Sequence, residues 1–303
     1  MPELPEVETI KRVLEKAIVG KTIKNVEVRK AKIFQGEPQE VIGRKIEGIE
    51  RRGKMLIIKL SGDKALVVHF KLTGQMVWIE ENPKSKIPAS PAGRQNPKFV
   101  ILGHPIPFAG TELPAKTTHV IFDVNGGPAR QPAGKLFYND LRQFGWIKVV
   151  KLDQLDKLDQ LGPEPFDKEF TVEYLERIFS RTSKPIKLVL MDQTKIAGVG
   201  NIYANEALFE AGILPTRPAK KLGNEEIKKL REAIIKVLEE GIKYGGSSAK
   251  DEAYIKPTGE PGSYQQHFRV YQRAGEKCQR CGTIIKRVNL GGRGTFWCPT
   301  CQK

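Results

Sequence analysis

The sequence predicts an α+β chain of several domains: a leading helix, a β-rich region of antiparallel strands, a helical region and a compact four-cysteine module. Three observations predict it. Apolar residues recur first at helical spacing (Val7, Ile10, Leu14, Ala17, Ile18), then form short strand-like runs between Thr22 and Ile79. Helical spacing returns after Gly162-Pro163-Glu164-Pro165, and all four cysteines fall in the last 26 residues. At 303 residues the chain is long enough for two domains whose cores need no disulfide support.

Taken in order, the opening Met1-Pro2-Glu3-Leu4-Pro5-Glu6-Val7-Glu8 admits two readings. Pro5 suits the first turn of a helix, and Glu3, Glu6 and Glu8 suit the positive end of its dipole. Equally, removal of Met1 would expose a proline secondary amine beside a carboxylic acid. An α-amino group titrates near pH 8, low enough to leave a nucleophilic fraction at neutral pH, and Glu3 would be the adjacent proton donor.

Strands are expected at Ile23–Val28, Ile46–Ile49, Met55–Leu60, Ala65–Phe70 and Gln75–Ile79, with Ser61-Gly62-Asp63-Lys64 and Leu72-Thr73-Gly74 as turns. Asn82 to Lys116, rich in proline and small residues, reads as an irregular excursion over a basic surface. Strand character resumes at His119–Val124, Lys135–Tyr138 and Gly145–Val150. Leu152, Leu155, Leu158 and Leu161, three apart, form a short helical connector. Helices follow around Val172–Phe179, Pro185–Asp192 and Ile202–Ala211, with a fourth capped by Asn224; Gly245 to Tyr264 has loop composition. The expected division is 1–151, a linker at 152–165, a helical domain at 166–264 that includes the 245–264 loop, and a cysteine module at 265–303.

Charge constrains the partner. Lys and Arg number 51 against 35 Asp and Glu, a net charge of +16, which favours a polyanion, with ribosomal or membrane-surface association as the alternatives. No run of about 18 apolar residues and no signal-peptide order is present, so a cytosolic location is expected.

Cys278-x2-Cys281 and Cys298-x2-Cys301 have the spacing by which two tight turns present four thiolates to one zinc ion, leaving no open position for catalysis. A pair of redox CxxC motifs is the alternative, without a thioredoxin-like βαβ pattern around it. Arg293, in Gly291-Gly292-Arg293-Gly294, sits at a hairpin tip, either reaching a neighbouring site or simply solvated. Gly198-Val199-Gly200-Asn201 before a helix offers N–H groups and an amide to a phosphate. Arg142 and Phe144 pair a cation with a ring that can fill the gap left by an extruded base, unless Phe144 is core. His69, Leu72 and Lys54 read by themselves as a sheet histidine, a core leucine and a basic turn.

Together these motifs resemble the formamidopyrimidine-DNA glycosylase family over nearly the whole chain. The resemblance rests on Pro-Glu-Leu-Pro-Glu-Val-Glu-Thr at the start, Arg-Gly-Lys at 52–54, Gly-Val-Gly-Asn-Ile-Tyr-Ala at 198–204, Pro-Gly-Ser-Tyr at 261–264 and the cysteine module. It implies an N-terminal β-sandwich domain with a leading helix, a helix-two-turns-helix domain and a zinc finger holding one structural zinc on Cys278, Cys281, Cys298 and Cys301. The implied activity is bifunctional: excision of oxidised purines such as 8-oxoguanine and formamidopyrimidines from double-stranded DNA through a Pro2 Schiff base, then lyase cleavage at the abasic site by β- and δ-elimination.

Residue by residue, the resemblance makes Glu3 the acid, assigns Lys54 to β-elimination and phosphate contact, and assigns Arg293 to δ-elimination. It gives His69 and Asn201 to phosphate, and Leu72, Arg142 and Phe144 to the vacated stack. Leu72 stands where many members carry methionine, Gln143 often where they carry arginine, and the family's DNA-contacting histidine falls near Thr117-Thr118-His119. The excursion at Asn82 to Lys116 is longer than the family leads one to expect. A monomer is expected. The alternatives are an endonuclease VIII-like enzyme for oxidised pyrimidines, whose opening usually has glycine where Leu4 stands, a non-catalytic damaged-DNA-binding protein, or an N-terminal-proline tautomerase of small molecules.

Overall fold

The structure, a computed structural model, describes residues 1–81, 99–103, 113–127, 132–157, 160–247 and 263–303, with the backbone alone for 99–103 and 156–157. Most of the 82–116 excursion and of the 245–264 loop lies outside the described residues. The chain forms two compact units. The first draws on Met1–Pro2, Glu6–Leu158 and Gly245–Gly262; the second on Glu3–Pro5, Asp159–Tyr244 and Ser263–Lys303.

In the first unit, helix α1 (Leu4–Ile18) turns Val7, Ile10, Leu14 and Ile18 fully inward, as their spacing predicts. Burying each such side chain stabilises the fold by about 2 kcal/mol. The strands are β1 (Ile23–Val28), β2 (Phe34–Gln35), β3 (Ile46–Arg52), β4 (Met55–Leu60), β5 (Lys64–His69), β6 (Gly74–Glu80), β7 (Phe99–Gly103), β8 (Thr118–Val124), β9 (Gly134–Asp140) and β10 (Trp146–Lys151). They make two five-stranded sheets, ordered β1-β8-β9-β6-β7 and β2-β10-β5-β4-β3. Inward residues of both sheets, among them Val26, Trp78, Phe122 and Tyr138 from one and Leu56, Ile58, Leu66 and Val68 from the other, share one core with α1. That shared core makes the unit a β-sandwich.

Two details depart from the sequence reading. β10 and β2 pair in parallel, whereas the other pairs are antiparallel. The excursion read as irregular contains β7, which pairs with β6 from Gln75↔Gly103 to Ile79↔Phe99. Its core, Phe99-Val100-Ile101-Leu102, is a continuous apolar run with no alternation to signal a strand.

The leucine-spaced connector begins as a 3-10 helix at Leu152–Lys157, the helix type in which residues three apart eclipse. The second unit then holds α2 (Val172–Ser180), α3 (Ile186–Leu190), α4 (Asn201–Glu210), α5 (Asn224–Lys243) and the hairpin β11 (Lys286–Leu290) and β12 (Arg293–Trp297). Thr171 caps α2, its hydroxyl accepting from Tyr174 N at 3.1 Å. Asn224 is not the cap of α5. Gly223 is, its N–H donating to Glu226 Oε2 at 2.9 Å, while the Asn224 amide turns to Glu176.

Candidate active site and zinc centre

In the second unit, Glu3 is 2% exposed and its carboxylate sits on the N-terminus of α4. Oε1 accepts from Ile202 N at 2.9 Å and Oε2 from Tyr203 N at 3.5 Å. The glycines of Gly198-Val199-Gly200 serve this approach: a Cβ on Gly200 would overlap the Glu3 carboxyl group. Gly198, at φ +89, has Leu4 against it and accepts Leu4 N at 3.1 Å. Glu3 thus takes the N–H groups of Ile202 and Tyr203, just after this motif, a carboxylate favoured by the helix dipole, while Gly198 N donates to Gln193 Oε1 at 2.9 Å. Pro2, the preceding residue, is buried.

Lys187, on α3, was not singled out from the sequence. Its side chain is fully buried, and Nζ donates to Gly294 O and Thr295 Oγ1, both at 2.8 Å, tying α3 to β12, the hairpin strand that begins with Arg293. Burial pushes its pKa down from 10.5 to about 7, Arg293 adds to the fall, and Glu3 opposes it. The available signal was a lone lysine inside the apolar run Ile186-Lys187-Leu188-Val189-Leu190. Arg293 itself is exposed and follows Gly291 and Gly292, at φ +57 and +74, the conformation a two-residue hairpin turn requires.

Helix α4 organises the rest of this unit. Asn201 Nδ2 approaches Tyr271 Oη at 3.4 Å. Asn205 donates to Asn201 O at 2.6 Å and accepts Phe296 N at 2.8 Å. Buried Glu206 accepts from the N–H groups of Arg269, Val270 and Tyr271 at 2.8, 3.0 and 2.8 Å. Burial raises the Glu206 pKa against the pull of those donors and of Arg269.

The four cysteine Sγ atoms lie within 4.8 Å of one another. Cys278–Cys301 and Cys281–Cys298 separations are 3.9 and 3.4 Å. Four sulfurs about 2.3 Å from a zinc ion stand about 3.8 Å apart, so the set fits one tetrahedral zinc. A zinc ion held by all four sulfurs would have no open face for chemistry and would act structurally.

In the first unit, Lys54 follows Gly53 (φ +56) in the two-residue turn joining Arg52 and Met55. Arg51 braces this turn, donating to Glu8 Oε2 and to Gly53 O, both at 3.1 Å. His69 Nδ1 accepts from Lys71 N at 3.1 Å, which leaves the proton on Nε2. Burial, then the charges of Lys71 and Lys54, push its pKa down to about 3, so it is a neutral donor at physiological pH.

Leu72 is half-buried beyond Lys71, at φ +49. Arg142 is exposed, Phe144 is 59% exposed rather than core, and Gln143 between them has φ +56. Leu141 is 58% exposed beside them. His119, in contrast, is buried, with Nε2 2.8 Å from the Asp140 carbonyl, so Nε2–H donates to that oxygen. It is a structural histidine. The candidate residues thus fall in two groups, each within its own unit: Glu3, Asn201, Lys187 and Arg293 in the second, and Lys54, His69, Leu72, Arg142 and Phe144 in the first.

Comparison with known proteins agrees along the whole chain. The model of the formamidopyrimidine-DNA glycosylase N-terminal domain matches residues 1–147, that of its H2TH domain 161–253, and that of the zinc finger found in FPG and IleRS 275–303. The formamidopyrimidine-DNA glycosylase of Carboxydothermus hydrogenoformans is 40% identical over 309 residues, with 100% of each chain covered. Lactococcus lactis Fpg in complex with abasic-site DNA superimposes with a TM-score of 0.80 at 32% identity, covering 99% of each chain. The same organism's Fpg bound to DNA containing N7-benzyl-Fapy-dG gives 0.81 at 33%, covering 100% of each. Fold, zinc centre and matches define a DNA glycosylase of base-excision repair. More narrowly, the chain belongs to the formamidopyrimidine-DNA glycosylase family.

Proposed function

We propose that this glycosylase excises oxidised purines, 8-oxoguanine and formamidopyrimidines, from double-stranded DNA and then cleaves the strand as an abasic-site lyase. The observation that carries this reading is the carboxyl group of Glu3, fixed on the N-terminus of α4 directly after Pro2 in the chain. Once Met1 is removed, the Pro2 nitrogen becomes a secondary amine whose neighbour is held by two backbone donors rather than free to rotate.

The amine attacks C1′ of the extruded nucleotide, the glycosidic bond breaks, and the base leaves with a proton. The Glu3 carboxylate takes the proton that the Pro2 nitrogen sheds after attack and passes it to the ring oxygen as the sugar opens, leaving an iminium at C1′. The iminium acidifies C2′–H; loss of that proton expels the 3′ phosphate, assisted by Lys54. A second elimination expels the 5′ phosphate, assisted by Arg293, and water then hydrolyses the imine to free the enzyme. Lys187 positions the Arg293 hairpin through Gly294 and Thr295. The zinc stabilises the finger, and no step passes through it.

His69 and Asn201 hold phosphates, and Leu72, Arg142 and Phe144 fill the vacated stack. The exposure of Phe144 and the neutral donor on His69 support these roles. The protein acts as a cytoplasmic monomer, with residues 265–303 as its finger. The test is product analysis on a duplex with one 8-oxoguanine opposite cytosine. Free 8-oxoguanine and a gap with phosphate at both ends are expected; base release with an intact strand would refute the lyase half.

A further inference from the structure

The stack-filling residues lie on two separate segments of the first unit, Leu72 after β5 and Arg142 with Phe144 after β9. The segments are joined by a buried polar contact that no catalytic step requires. The Thr73 hydroxyl donates to Asp140 Oδ1 and accepts Arg142 N at 2.9 Å. Asp140 Oδ1 also accepts Arg142 N at 3.2 Å, and Oδ2 accepts Gly145 N at 2.7 Å. The Asp140 carbonyl meets His119 Nε2 at 2.8 Å, which fixes the residue from behind. Thr73 is 6% exposed and Asp140 fully buried, so water does not compete for these bonds.

Both segments also rest on one side chain. A Cβ on Gly74, next to Thr73, or on Gly145, next to Phe144, would overlap the hydroxyl of fully buried Tyr138. That hydroxyl donates to His69 O at 3.5 Å. Burial, then the Asp140 charge, raises the Tyr138 pKa, which keeps the donor protonated. Neither segment can settle toward the sheet without meeting the same atom.

We propose that Thr73 and Asp140 are positioning residues that lock Leu72 and the Arg142–Phe144 loop into one rigid wedge for base extrusion. This rests on the stack-filling roles given above. A wedge made of two independently moving segments loses part of its insertion work to the motion of each; a clamp of several hydrogen bonds removes that freedom. The clamp acts on extrusion and not on the covalent chemistry, so a substrate that has no base to extrude bypasses it.

The test uses the full-length protein and two duplexes: one with 8-oxoguanine beside 2-aminopurine, whose fluorescence rises on unstacking, and one with a preformed abasic site. Thr73→Val keeps the shape and removes the hydroxyl; Thr73→Ser keeps the hydroxyl. Thr73→Val should slow the fluorescence rise about fivefold to tenfold, the scale of one or two lost hydrogen bonds. Cleavage of the abasic duplex should stay within about twofold, and Thr73→Ser should restore extrusion.

In the parent background, Leu72→Ala and Phe144→Ala combined should cost less than the product of their separate losses, as for coupled sites; in the Thr73→Val background the losses should multiply. Extrusion at the parent rate in Thr73→Val, or equal slowing on both duplexes, would overturn the clamp. Unchanged extrusion in Phe144→Ala would instead remove the stack-filling role on which it rests.

Discussion

His69 shows how one side chain is kept in a single protonation state. Its pKa is about 3 in the fold against 6.5 in an open chain, so between these values the unfolded state binds more protons. The stability tied to neutral His69 is therefore fully present above pH 6.5 and is lost as pH falls toward 3. One proton sets a limiting slope of about 1.4 kcal/mol per pH unit. His69→Gln should flatten the parent's stability curve across that window in denaturant titrations at successive pH values. An unchanged slope would contradict the buried neutral ring.

Sequence legibility at this scale followed exposure and local pattern. Phe144 and Arg293 stand out because a turn displays them, and the glycines around Arg293 announce that turn. Lys187 and Asp140 passed unnoticed because their importance comes from distant partners: Gly294 and Thr295 for the first, Thr73 and His119 for the second. His119 lies near the place where the resemblance puts a DNA-contacting histidine, with no local pattern that assigns it there. Only its burial against the Asp140 carbonyl assigns it to the core.

Among the elements, helices and hairpins with strong periodicity or turn chemistry were readable, while β7 and the two-residue β2 carried no periodic signal. Glycines before α4 point to an anion at the start of that helix, and the carboxylate that meets Ile202 N and Tyr203 N comes from the start of the chain, which local spacing cannot reveal. The finger depends on its metal rather than on a large core. Its β11 strand is exposed along most of its length, so zinc binding supplies folding energy there. Chelation or Cys298→Ser should release one zinc per chain and abolish the near-ultraviolet dichroism of Trp297, while the β-sandwich unit keeps its own unfolding transition. Retention of the Trp297 signal without metal would contradict a zinc-held finger.

For the whole molecule, the +16 charge is a statement about affinity more than about fold. Lys54 and Arg293 each displace a counterion if they meet phosphate, and two such contacts give a slope of about −1.8 in log K against log salt. Binding to undamaged duplex should show at least that slope. A slope shallower than about −1 would mean that the named cations do not grip the backbone.

The central claim is that the terminal amine of Pro2 is the nucleophile. Its most direct measurement is borohydride reduction during turnover of a duplex carrying one 8-oxoguanine opposite cytosine, followed by peptide mapping of the trapped complex by mass spectrometry. A covalent sugar adduct on the nitrogen of Pro2, with Met1 absent and no adduct in Pro2→Gly, is the predicted result. An adduct on a lysine side chain, or no adduct despite base release at the usual rate, would contradict it.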